Sequence, residues 1–248
     1  MSENGPDLVV AGAGGGLVAA LRAAQRGLDV LVVEASEHFR RGNNTSMSTA
    51  MIPGVGTRWQ RAVGIEDTPD TFVADVERKT KGHGDLRLAR ALAEVSAELV
   101  EWLADDQGLP LELATDFHYP GHSFDRCHTI EGRHGTILLD HLLGRVREND
   151  RIDLLVPAKL VDVVLDDAGA VRAAVIEQNA RVAQVLLTWK WAGHFDKALV
   201  GCERNLDDRH SVGLALTGAG AIIVAHQGQQ VAAVVEGQRQ YVVVVGIK

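Results

Sequence analysis

At 248 residues, 46% of them hydrophobic, the chain can bury a sizeable core as one large domain or two small ones. Its 33 acidic residues against 25 basic ones give a formal net charge of −8, which sets nucleic acid aside as a main partner. No apolar run reaches membrane-spanning length, and the residues before Asp7 are short and polar. The two cysteines, Cys127 and Cys202, make neither a disulfide framework nor a metal motif, so a cytoplasmic location is expected.

The first predicted element is a strand at Asp7-Leu8-Val9-Val10-Ala11, followed by the turn Gly12-Ala13-Gly14-Gly15-Gly16. A helix continues through Leu17 to Arg26, Gly27 closes it, and Leu28 to Val33 form a second strand ending at Glu34. That order suits the ADP half of a dinucleotide. Glycines let the backbone approach a pyrophosphate, the helix N-terminus faces it with unpaired N–H groups, and the acid can take ribose hydroxyls. A strict G-x-G-x-x-G would place glycine at position 17, where this chain has Leu17.

Ala35 to Thr57 is rich in Gly, Asn, Ser and Thr and reads as a long polar loop, of a length that is often functional. Helices are predicted over Pro69–Lys81 and over Leu86–Gln107, the second with Leu88, Leu92, Val95, Leu99 and Trp102 at helical spacing. Leu111 to Arg133 is irregular and dense in His, Tyr and Pro, and a further helix runs from about Thr136 to Glu148. The pattern then becomes β, with strands at Ile152–Val156, Lys159–Leu165, Val171–Glu177 and Arg181–Thr188. Tyr241 to Val245 is a β-prone run to which the sequence assigns no partner strand. The fold expected is α/β: a Rossmann-like domain with a parallel central sheet and an additional β-hairpin or meander layer.

Residues 7–57 together resemble the FAD-binding region of the fumarate reductase/succinate dehydrogenase flavoprotein family. In that family a Gly-Gly-Asn-Ser/Thr loop follows the acid, and the corresponding stretch here is Arg41-Gly42-Asn43-Asn44-Thr45-Ser46-Met47-Ser48-Thr49-Ala50. Arg41 stands where the family has the first glycine of the loop, and Leu187-Thr188-Trp189-Lys190-Trp191-Ala192-Gly193 where it has a strand ending Ala-Thr-Gly-Gly-Phe. The resemblance is good over about residues 7–178. It implies FAD as cofactor, held by Gly12, Ala13, Gly14, Gly15, Gly16, Glu34, Ala35, Ser36, Asn43, Asn44, Thr45, Ser46 and Ser48.

It further implies a dehydrogenase or reductase acting on a CH–CH bond beside a carboxylate or ketone, with hydride transfer through flavin N5. The small-molecule substrate would be of carboxylate or enone type. The family's substrate-binding residues mostly lie in later parts, so no catalytic residue is assigned. The organisation expected is an FAD-binding domain over residues 1–200, followed by a divergent segment over 201–248 resembling the entrance to a capping domain. A truncated, non-catalytic dinucleotide-binding module, or a subunit completed by a partner or a second copy, is the competing reading. His118, His122, His128, His134 and His141 match no zinc spacing, so no metal is expected; His122 is a candidate for the substrate side of a flavin.

Overall fold

The computed structural model describes residues 5–165, 167, 171–179 and 181–186, and four short strands beyond them. The elements begin with β1 (Leu8–Ala11), α1 (Gly15–Gln25), β2 (Val30–Val33), α2 (Phe39–Gly42), α3 (Asn44–Met47), β3 (Ile52–Pro53) and α4 (Arg58–Ala62). Then come α5 (Pro69–Thr80), α6 (Leu86–Asp105), β4 (Glu112–Leu113), β5 (Cys127–Thr129), α7 (Gly135–Arg147) and β6 (Ile152–Leu155). The remaining strands are β7 (Lys159–Leu165), β8 (Val171–Gln178), β9 (Arg181–Leu186), β10 (Gly213–Ala215), β11 (Ile222–Val224), β12 (Ala232–Ala233) and β13 (Tyr241–Val244).

The central sheet runs β12-β13-β1-β2-β6. Its strands β13, β1, β2 and β6 are parallel, and β12 is antiparallel to β13. The run at Tyr241, unpartnered in the sequence, therefore lies on β1, with Leu8 opposite Tyr241 and Ala11 opposite Val244.

Strand alternation sorts the core into two. Leu8 and Val10 of β1, with Val30 and Val32 of β2, pack against Leu17, Ala20 and Leu21 of α1, Val100 and Leu103 of α6, and Leu139, Leu142 and Leu143 of α7. Val9, Ala11, Leu31 and Val33 face the opposite way, onto Ala158, Val171, Ala174 and Ile176. A parallel sheet buried on both faces needs β1 and β2 to be apolar throughout, and both are. The second covering layer is the antiparallel meander β7-β8-β9. The molecule is thus the expected Rossmann-like α/β domain with a meander layer.

The segment 35–57 departs from the loop read in the sequence. Asn43 accepts from the Ser46 N–H at 2.8 Å and so caps the single turn of α3, while Thr57 and Gln60 form a reciprocal capping box that starts α4. Leu111 to Arg133, read as irregular, contributes β4 and β5 to a small sheet of order β3-β5-β4. The domain boundary expected at residue 200, together with Trp189, Lys190, Trp191 and Cys202, lies outside the described residues.

Candidate functional site

The site is built where β1 and β2 end. Gly12 has φ of +98°, a left-handed conformation that glycine adopts without steric cost, and its N–H donates to Val33 O at 2.8 Å. This bond joins the start of the glycine turn to the end of β2. Gly16 packs inward: a Cβ there would lie 2.9 Å from Val10 Cγ1, so glycine lets α1 close onto β1. The N-terminus of α1 carries no side-chain cap and no acid in its first turn. The N–H groups of Gly14, Gly15 and Gly16 donate to no described residue, and no atom lies within 4 Å of where a Gly15 Cβ would stand. These unpaired donors on an open helix start form a cradle for an anion.

Glu34 closes one side. Its Oε2 accepts from the Ala13 N–H at 2.8 Å and its Oε1 from the Ser36 N–H at 2.8 Å. The Glu34 backbone continues the β2–β6 ladder, with its N–H on Leu155 O and its carbonyl accepting from Ala158 N–H. The carboxylate is therefore held at the tip of β2, beside the turn. Ala35 and Ser36 follow it as exposed residues.

Asn43 joins the polar loop to the turn. Its Nδ2 donates to Ala13 O at 2.7 Å while its Oδ1 caps α3, and Ser46 Oγ donates back to Asn43 O at 2.9 Å. Ala13, Glu34, Ser36, Asn43 and Ser46 are thus tied into one hydrogen-bonded unit within and beside the glycine turn. Asn44 and Thr45 lie in the same short helix, and Ser48 follows it, with Ser48 Oγ donating to Thr45 O at 2.8 Å and accepting from the Ala50 N–H at 3.1 Å. The sequence-predicted set is therefore brought together.

Two supports had no signal in the sequence. Gly135 starts α7 directly against the loop: its N–H donates to Ser48 O at 2.9 Å, and a Cβ on it would stand 1.9 Å from Thr45 O. The second support is buried behind the loop. Arg126 bonds both oxygens of Asp67, through Nε at 2.8 Å and Nη2 at 3.0 Å, and donates through Nη1 to Asp75 Oδ2 at 2.8 Å. Asp75 also accepts from Ser123 Oγ at 2.6 Å and Ser123 N–H at 2.7 Å. Burial alone would raise the Asp75 carboxyl, but bonds from Ser123, Arg78 and Arg126 hold it far below the usual carboxylate range. His128 is fully enclosed, with Nε2 2.9 Å from Thr57 Oγ1, and burial pushes its pKa down despite backbone carbonyls that favour the charged form. Next to it, Thr129 Oγ1 donates to Thr49 O at 3.3 Å, which ties this layer to the loop.

The histidines gather no metal site: among the described residues no group of three or more His, Cys, Asp or Glu side chains could hold an ion. His118 is spent on Asp125 and His122 O, and His141 on Gln107 O. His122 sits in the loop between β4 and β5, anchored by Ser123 on Asp75. That loop enters β5 at Arg126, whose carbonyl accepts from Gly54 N–H. Cys127 is buried, which pushes its thiol pKa up and leaves it a packing residue.

A glycine cradle at a helix start, an acid at the tip of the next strand and an Asn-capped loop locked to the turn define a dinucleotide-binding domain. The family model for the FAD binding domain matches residues 7–233, and the chain belongs to that family, with FAD as its cofactor. A probable fumarate reductase, Ifc3, of Shewanella frigidimarina (strain NCIMB 400) is 30% identical over 177 residues, 71% of this chain and 29% of the relative. An NADH:fumarate oxidoreductase of Klebsiella pneumoniae (strain 342) is 33% identical over 172 residues, 67% of this chain and 18% of the relative. The solved open conformation of a flavocytochrome c3 fumarate reductase superposes with a TM-score of 0.61 at 30% identity, covering 70% of this chain and 30% of that one. The chain therefore spans less than a third of each of these relatives.

Proposed function

We propose that the chain is the FAD-holding part of an oxidoreductase that reduces or forms a CH–CH bond beside a carboxylate or ketone. The observation that carries the reading is the cradle itself: three glycine amides that donate to no described residue, on an uncapped helix start, with Glu34 beside them. Gly14, Gly15 and Gly16 hold the pyrophosphate, and Glu34, with Ala35 and Ser36 beside it, takes the adenosine ribose. Asn43, Asn44, Thr45, Ser46 and Ser48 line the path toward the flavin ring. Bound FAD would supply hydride chemistry at N5, and these residues would hold and orient the cofactor. The fumarate reductases among the relatives support an unsaturated carboxylate as the acceptor. Because the chain spans less than a third of these relatives, the substrate side would come from a further domain or a second chain.

The test is turnover of the loaded protein. Protein reconstituted with FAD and reduced by dithionite is expected to be reoxidised by fumarate or another α,β-unsaturated carboxylate or enone, once the completing partner is present. Reoxidation by oxygen alone across the whole panel, with that partner supplied, would count against the reading. Glu34→Ala is expected to weaken FAD about tenfold, from loss of a charged acceptor to ribose hydroxyls. Unchanged affinity would show the acid to be misassigned.

A further inference from the structure

We propose that Arg41 is a cofactor-binding residue particular to this chain, its guanidinium pairing with the FAD pyrophosphate over the open start of α1. The inference rests on FAD being the ligand of the glycine cradle. Between residues 35 and 43 there are three cationic or titratable bases, His38, Arg40 and Arg41. His38 lies 3.3 Å from its neighbour Glu37. Arg40 is held by Asp140 of α7 through Nε at 2.9 Å and Nη2 at 2.7 Å. Arg41 is exposed, and its side chain makes no ion pair or hydrogen bond with any described residue.

Its position in the chain leaves that charge within reach of the cradle. Asn43, two residues on, is fixed to Ala13 O in the middle of the glycine turn, and two residues of chain span at most about 7 Å. A long arginine side chain covers the remaining distance. Neither end is crowded: apart from chain neighbours and the helix's own backbone, nothing lies within 4 Å of a Cβ built on Gly42 or on Gly15. The charge balance calls for it as well. A pyrophosphate brings two negative charges to a chain already at −8 and to a site whose nearest side-chain charge is the Glu34 carboxylate. Helix-start amides offset part of this, and a guanidinium, with its fork of donors, is the side chain best matched to phosphate oxygens. The family's loop has glycine at this position, so the cation is an added contact.

The experiment measures the dissociation constants of FAD and ADP for wild type, Arg41→Gln and Arg41→Lys across a salt series. Circular dichroism and melting temperature serve as the folding control for an exposed side chain. Arg41→Gln is expected to weaken FAD and ADP alike by about tenfold at low salt and to flatten the salt dependence, with Arg41→Lys between the two. Unchanged affinities in Arg41→Gln would overturn the proposal while leaving the FAD site standing. A loss that is the same at every salt concentration would also overturn it, because the residue would then be stacking on adenine. If wild type takes up no FAD, the underlying reading falls and this proposal with it.

Discussion

At Gly135 the cost of a single methyl group is set by geometry, because a Cβ there would stand 1.9 Å from Thr45 O and 2.7 Å from Ser48 Oγ. Gly135→Ala must push α7 away from the cofactor loop. It is expected to cost about 1–3 kcal/mol and to reduce FAD uptake more than melting temperature. Wild-type uptake would show that the loop tolerates the shift. Ala50, buried at the end of the same loop, has φ of +52°. Ala50→Gly is expected to be near neutral, since relief of about 1 kcal/mol of left-handed strain is offset by loss of about 0.8 kcal/mol of methyl burial. Ala50→Val, branched at a positive φ, should lose about 2 kcal/mol or more, read from denaturant midpoints. Arg126→Met leaves Asp67 as a buried unpaired charge and Asp75 with Arg78 alone as its cation, and is expected to lose about 3–5 kcal/mol. Adding Asp67→Asn and Asp75→Asn should restore part of that loss.

At the scale of elements, the strand–glycine–helix–strand unit was legible because its signals are local: apolar runs, adjacent glycines and an acid all within 34 residues of the N-terminus. The limits of the helices and strands predicted between Pro69 and Leu186 agree with the structure to within about two residues for the same reason, although β4 and β5 are not among them. What the sequence could not show is pairing across distance. Gly135 meets Ser48, Arg126 reaches Asp67 and Asp75, and Asn43 finds Ala13, each across 30 residues or more. Nothing in the neighbouring residues announces such contacts. The same holds for Tyr241 to Val244, whose place beside β1 follows only from the folded chain. In that parallel ladder β13 lies between β12 and β1, so a residue without an N–H there interrupts the sheet. Val243→Pro is expected to raise amide exchange in β1 and to lower the melting temperature. Unchanged protection of Val9 and Val10 would show that β1 does not depend on this strand.

Over the whole molecule, the buried histidine and the buried carboxylate act in the same direction with pH. His128 is held neutral in the folded protein, below its ordinary value of 6.5, so the unfolded chain takes up a proton that the folded chain refuses. Stability from this source is present above about pH 6.5 and is lost as the pH falls below it. Asp75 is depressed instead, so its contribution is present above about pH 4 and disappears as the pH falls further. The melting temperature is therefore expected to decline from neutrality toward pH 5, and His128→Asn should flatten that decline. An unchanged slope would assign the decline to other groups.

No helix among the described residues is long and apolar enough to cross a membrane. The central claim is that the cradle of Gly14, Gly15 and Gly16 beside Glu34 receives the adenosine diphosphate half of FAD. Titration of the apo protein with FAD, followed by displacement with ADP, tests this most directly. The structure predicts one FAD per chain and competitive release by ADP. FAD uptake that ADP cannot displace, or no uptake at all, would contradict it.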